Sequence, residues 1–193
     1  MKSIVIADLL NILEYEKVRT AYRSELLDYK SNRRLSLGPH ITMTFENQRT
    51  MKFQIQEMMR AERMVHDEQI QEEIDIYNSL LPRQNSLSAT LFIEVVEEAM
   101  IKPILNQFIG LTLGETLYFS LGGSKVYAEF EAGREEEDRI SSVHYIQFPF
   151  STETKAKFLE SGQPVSIGID YKDYVYEAEL SAAMVDSLRE DLR

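Results

Sequence analysis

The sequence predicts an α+β protein built on a mainly antiparallel sheet. Three observations predict it. Over residues 8–81, apolar side chains recur at three- and four-residue steps, the period of amphipathic helices. Residues 87–180 hold short alternating runs separated by tight turns. That second stretch also spells strand–helix–strand–strand twice, without the strict alternation of a doubly wound parallel sheet.

The elements follow in order. Leu9, Ile12, Leu13, Tyr15, Val18, Tyr22, Leu26, Leu27 and Tyr29 mark a helix from Asp8 to about Arg33, with Asp8 as its cap and a break open at Arg19–Ala21. Arg34–Leu37 and His40–Glu46 alternate around Gly38-Pro39 and predict two strands. Asn47–Thr50 is turn-like, and Gln54–Val65 is helical by propensity. A further helix starts at Asp67 and ends at Pro82.

Beyond the polar stretch Arg83–Ser88 come strand Leu87–Val96, helix Glu97–Ile109, and strands Glu115–Leu121 and Lys125–Phe130. The second copy is strand Val143–Phe150, helix Thr152–Glu160, and strands Val165–Asp170 and Tyr174–Leu180. Gly133–Arg139 between them is an acidic connection. Ser181 caps a last helix, Ala182 to Leu192. The expected organisation is a helical subdomain with a short hairpin at 1–82, packed as one unit against an antiparallel α+β domain at 87–193. The two copies are expected to share one continuous curved sheet.

Composition narrows the function. The 193 residues are 44% hydrophobic and 27% charged, enough to bury a core. Net charge is −11, which repels phosphate backbones and excludes a dedicated nucleic-acid binder. With no cysteine there is no disulfide, thiolate nucleophile or cysteine-held cluster. The amino-terminal apolar run is too short to span a membrane and lacks a small-residue cleavage site, which places the chain in the cytoplasm with no membrane partner. No Walker, dinucleotide or Gly-x-Ser-x-Gly motif occurs, so no reaction and no cofactor are assigned.

Residues 34–82 carry a family resemblance. Leu37-Gly38-Pro39-His40-Ile41-Thr42, Phe45-Glu46-Asn47, Phe53-Gln54-Ile55-Gln56-Glu57-Met58, Arg60, Glu62-Arg63, Gln71-Glu72-Glu73, Tyr77-Asn78 and Leu81-Pro82 form the pattern. Val143-His144, Asp170 and Tyr174 add carboxy-terminal landmarks. The chain resembles a family of bacterial proteins of about this length whose function is unknown. The resemblance implies neighbours encoded nearby, namely rubrerythrin-like proteins and iron–sulfur oxidoreductases of the heterodisulfide-reductase type. It thus implies peroxide defence or electron transfer, with any cluster held by the partner.

That context directs attention to the helix at Gln54–Val65. Glu62 and His66 do not make the Glu-x-x-His pair of a di-iron site. Gln54, Glu57, Arg60 and Arg63 are one turn apart in succession. They line a small-anion or proton-transfer pocket, with His40, or they form a solvated face of intrahelical pairs. His40, Glu57 and His144 would supply a metal with two imidazoles and a carboxylate if they met. Otherwise His144, on an apolar strand face, is a satisfied core histidine. The concentration of methionines in residues 43–64 fills an irregular core or lines an adaptable groove. Two functions are expected from this. One is a non-catalytic accessory that binds another protein, an iron–sulfur oxidoreductase or rubrerythrin-like protein. The other is an enzyme or small-ligand sensor with a pocket around His40, Glu57 and Arg60.

Overall fold

Capping side chains decide where the first two helices begin, whereas α3 starts after His66 with no side-chain cap. The computed structural model describes residues 2–131, 139–160 and 162–193. A 3-10 turn at Ile6–Asp8 precedes helix α1, Ile12–Ser31. Asn11 caps α1, its side chain accepting from the Glu14 amide at 3.0 Å. Asp8 instead accepts from the Val5 amide. The helix runs unbroken through Arg19–Ala21. Strands β1 (Arg34–Leu37) and β2 (Ile41–Glu46) form the expected hairpin. Helix α2, Gln48–Ala61, then starts earlier than propensity suggests. Asn47 accepts from the Arg49 and Thr50 amides, while Thr50 Oγ1 accepts from the Asn47 amide. This reciprocal cap turns the turn-like Asn47–Thr50 into the first turn of a helix. Helix α3 spans Asp67–Ser79.

The second half follows the expected order, with shifted ends. It comprises β3 (Ser86–Ile93), α4 (Ile101–Gln107), β4 (Leu117–Leu121), β5 (Ser124–Tyr127) and β6 (Glu129–Phe130). Then come β7 (Val143–Pro149), α5 (Thr152–Leu159), β8 (Val165–Tyr171), β9 (Tyr174–Glu179) and α6 (Ala182–Leu192). Pro103 sits in the first turn of α4, where its missing amide breaks no helical bond. Ser181 caps α6 as the sequence predicts, accepting from the Met184 amide. The acidic connection lies outside the described residues, apart from Arg139.

The single continuous sheet is not what forms. The described strands make two antiparallel sheets, ordered β1-β2-β3-β7-β6 and β5-β4-β8-β9. The cause lies at Ala128. There the expected strand Lys125–Phe130 divides: β5 pairs with β4 and β6 pairs with β7. One chain run therefore crosses from one sheet to the other. At the opposite side β9 lies against β1.

The internal repeat is real in topology but is arranged differently. Its copies, β3-α4-β4-β5 and β7-α5-β8-β9, are antiparallel neighbours as expected, but they are shared between two sheets. Each contributes its first strand to the five-stranded sheet and its hairpin to the four-stranded one. β3 pairs with β7 through Leu91 and His144, and β4 with β8 through Phe119 and Ile167. β2 flanks β3 as β6 flanks β7, so the repeat extends one strand further forward than the sequence suggests. Both β2-β3-β7-β6 and β5-β4-β8-β9 read symmetrically about their centres.

The main core fills the space between the sheets and is closed by α4, α5 and α6. Phe119 lies at its centre, edge-on to Phe148 with centroids 4.7 Å apart. A second core joins α2, α3 and the amino-terminal segment through Ile4, Met51, Ile55, Met59, Ile70 and Ile74. Met43, Met51 and Met59 are buried, in keeping with a gap-filling role. The outer face of the five-stranded sheet is polar, yet Thr44, Glu46, Ser88, Thr90 and Gln147 are buried. Alternation in β2 therefore marks two buried faces, not one buried and one solvated.

Candidate functional site

The α2 residues singled out by spacing face α1 rather than open solvent. Glu57 is gripped bidentately by Arg19, with both N···O distances 2.8 Å, and accepts from the Tyr15 hydroxyl at 2.7 Å. The Arg19 hydrogen bonds hold the Glu57 carboxyl below its ordinary value against the opposing effect of burial. Burial, then the bond to Glu57, raises the Tyr15 phenol. Arg60 turns to Glu16, with Nε 2.5 Å from the carboxylate. The intrahelical Glu57–Arg60 pair implied by spacing is thus replaced by two pairs between helices. Gln54 is half-buried beside them. Arg63 has left the helix. It stands at φ 55 in a Schellman turn, with Met64 N 2.9 Å from Met59 O and Arg63 N 3.4 Å from Arg60 O.

His40 belongs to another region. Its ring stacks on Tyr174, at 6.4 Å and 27°, and meets Phe108 edge-on. The His40 and Ile41 amides donate to the Tyr174 hydroxyl at 3.0 and 3.2 Å, and that hydroxyl donates to Leu37 O at 2.5 Å. Phe108 and Tyr174 also line a cavity of about 340 Å³ with Tyr171, Lys172 and Asp173. Tyr176 packs over Gly38, where a Cβ would come within 2.6 Å of its ring. Only glycine fits that turn, which also needs φ +71. The structure therefore brings Gln54, Glu57 and Arg60 to one helix face and ties His40 to the β1–β9 seam.

His144 is buried, with Nε2 2.8 Å from Ser141 O and its ring edge-on to Phe130. The reading as a satisfied core histidine is the one the geometry matches. Among the described residues, no group of three His, Cys, Asp or Glu side chains could hold a metal ion. The set His40, Glu57 and His144 does not converge, because β9, α1 and the sheet interior each claim one of them.

Three polar devices escape sequence reading. Arg33 is fully buried and bonds Phe45 O, Tyr29, Ser187 and Asp191. Asn47 completes the network through Tyr29 and Asp191. The Arg33-Arg34 pair at a helix end reads as solvated, and nothing local links it to Asp191. Glu46 is 2% exposed, takes Thr90 at 3.3 Å and has Lys30 at 3.6 Å, while Oε2 has no hydrogen-bond partner among the described residues. Burial, with Glu73, Tyr145 and Glu46 adding to it, pushes nearby Tyr77 up to about 12. Finally, two amides grip the amino-terminal backbone: Gln56 bonds both N and O of Leu10, and Asn78 both N and O of Ile4. The helical spacing of apolar residues around Gln56 and Asn78 is the signal that could have marked them as inward-facing.

The gripped segment borders a groove of about 310 Å³. Leu9, Leu10, Met59, Met64, Val65 and Ile70 line it, with Glu14 and Asp67 among the bordering side chains. Of these, Val65 is 67% exposed and Leu10 38% exposed. Of the methionines, Met59 and Met64 serve both earlier readings, packing the second core and lining this groove. Among the described residues, no helix is long and apolar enough to cross a membrane.

A family model described as a protein of unknown function (DUF3501) matches residues 3–192. The chain is also similar to a solved structure, a novel protein of unknown function from Burkholderia pseudomallei K96243. The two share 30% identity and a TM-score of 0.91, and all of each chain is covered. No curated protein matches the chain.

Proposed function

Since the chain belongs to the DUF3501 family of proteins of unknown function, we propose that it is a non-catalytic cytoplasmic accessory that binds a protein of a redox or peroxide-defence system. The observation that carries the binding role is the groove lined by Leu9, Leu10, Met64 and Val65. Large apolar side chains are grouped there on the surface of a chain carrying net charge −11. Grouped exposure of this kind is a mark of interaction sites. The redox context rests on the family resemblance in residues 34–82, which implies a rubrerythrin-like or iron–sulfur oxidoreductase partner. The alternative of a ligand pocket joining His40 to Glu57 and Arg60 has less support, since those side chains take other partners.

Titration calorimetry against a purified rubrerythrin-like protein and a heterodisulfide-reductase-type iron–sulfur protein tests the reading. Saturable binding to one of them is expected. Heat traces matching dilution for both would overturn the redox-partner reading.

A further inference from the structure

We propose that the groove docks a cationic amphipathic segment of a partner protein. This rests on the partner-binding reading above and specifies the chemistry of the partner.

Two features of the groove select that chemistry. The walls are aliphatic and thioether, and two of them, Met59 and Met64, are unbranched side chains that repack around different apolar shapes. That suits insertion of apolar anchors more than recognition of a single rigid ligand. The second feature is charge. Glu14 lies in the first turn of α1 and Asp67 in the first turn of α3. Carboxylates are favoured at those positions by the exposed amide ends of their own helices. Because both side chains border the groove, negative charge is set beside the apolar walls. Glu68 follows in the same turn of α3. No ion pair engages Glu14, Asp67 or Glu68 among the described residues, whereas Glu16 and Glu57 nearby are already matched to arginines. Arg63 is the counterweight at this corner, and the carboxylates outnumber it. An apolar cleft with unmatched carboxylates complements a segment that carries Lys or Arg beside its apolar anchors. A neutral or acidic segment would meet the same walls but leave these charges uncompensated or opposed.

Val65 makes the idea testable without loss of the fold, because most of its side chain is already in water. The probe is a fluorescein-labelled synthetic helix of about 18 residues, long enough to form an amphipathic face, with Leu at three- and four-residue spacing and Lys elsewhere. Anisotropy of the probe is titrated with wild type, Val65→Asp and the double variant Glu14→Lys/Asp67→Lys. Thermal melts confirm that each is folded. Saturable binding is expected, weakened tenfold or more in every variant, weakened by salt, and lost when Glu replaces Lys in the probe.

Equal binding by wild type and variants would overturn the proposal, as would equal binding of the Glu probe. Two other occupants are also separable. Concentration-dependent dimerisation abolished by Val65→Asp, with no probe binding, would assign the groove to a second copy. Sedimentation with anionic phosphatidylglycerol vesicles that Val65→Asp abolishes, again with no probe binding, would assign it to a lipid surface. Either result overturns the proposal. A redox partner that binds wild type and Val65→Asp equally would remove the groove assignment and leave the partner reading standing. Probe binding at the groove with neither redox candidate binding would do the reverse.

Discussion

The Tyr174 hydroxyl donates to the carbonyl of Leu37 while accepting from the amides of His40 and Ile41. One phenolic oxygen thus joins β9 of the four-stranded sheet to the β1–β2 turn of the five-stranded sheet. Backbone pairing holds neither edge to the other there. Tyr174→Phe keeps the ring stack with His40 and Phe108 but removes all three bonds. A loss of about 1–3 kcal/mol is expected from chemical denaturation, because part-buried amides lose their acceptor. A Tyr174→Phe variant as stable as wild type would show that ring packing alone closes the seam.

Glu57 and Tyr15 make a second prediction. Glu57→Ala removes the acceptor of a wholly buried tyrosine and should cost about 1–3 kcal/mol, while Glu57→Gln should restore part of it. Arg19 is half-buried, and water screens part of its share. The pH dependence has a defined sign. The folded Glu57 carboxyl lies below its ordinary 4.5. The stability it contributes is therefore full above 4.5 and is lost as pH falls through the lower folded value. The gap between wild type and Glu57→Gln should narrow in acid, as read from denaturation midpoints across pH.

The Arg33 network predicts strong asymmetry between single and paired changes. Arg33→Met strands Asp191 beside Asn47 and should cost about 3–5 kcal/mol. Adding Asp191→Leu should recover much of that loss, since no buried charge is then left unmatched. Phe45 O still lacks the Arg33 donor and Asn47 lacks its Asp191 acceptor, so recovery should be incomplete. A double variant less stable than the single one would contradict this account.

Arg63 gives a prediction of opposite sign. Its backbone is left-handed at φ 55, a conformation that costs a residue with a Cβ. Its side chain is exposed, so little else is lost on replacement. Arg63→Gly should therefore stabilise the protein by about 0.5–1 kcal/mol, seen as a higher thermal midpoint.

What the sequence disclosed, and what it hid, follows from the range of each interaction. Ser181, Gly38 and the alternation in Val143–Pro149 act over a few residues, and each was legible. Asn47 was misread because a cap and a turn use the same side chain, and only the reciprocal bond from Thr50 separates them. Ala128 gave no warning of a change of sheet, because an alanine suits either side of the crossing. For the candidate site, helical spacing puts Glu57 and Arg60 on one face, but their partners lie 38 and 44 residues away in α1. Helical periodicity cannot show which helix will cover a face. Arg33 and Asp191, 158 residues apart, lie further still beyond pattern reading.

The alternation of repeat halves across the sheets bears on how the nascent chain folds. The middle pair of the five-stranded sheet, β3 and β7, takes one strand from each half. After the end of β3 leaves the ribosome, 56 residues must follow before β7 is complete, roughly 3–11 s of synthesis. Throughout that interval one side of Ser86–Ile93 has amides and carbonyls that its native neighbour has not yet reached. Strands β1 and β2, with helices α1 to α3, are already made, and β2 pairs with the other side. A ribosome that pauses between β3 and β7 would therefore prolong the period in which this strand can pair with another chain, and synonymous codon changes there should alter soluble yield without altering the protein.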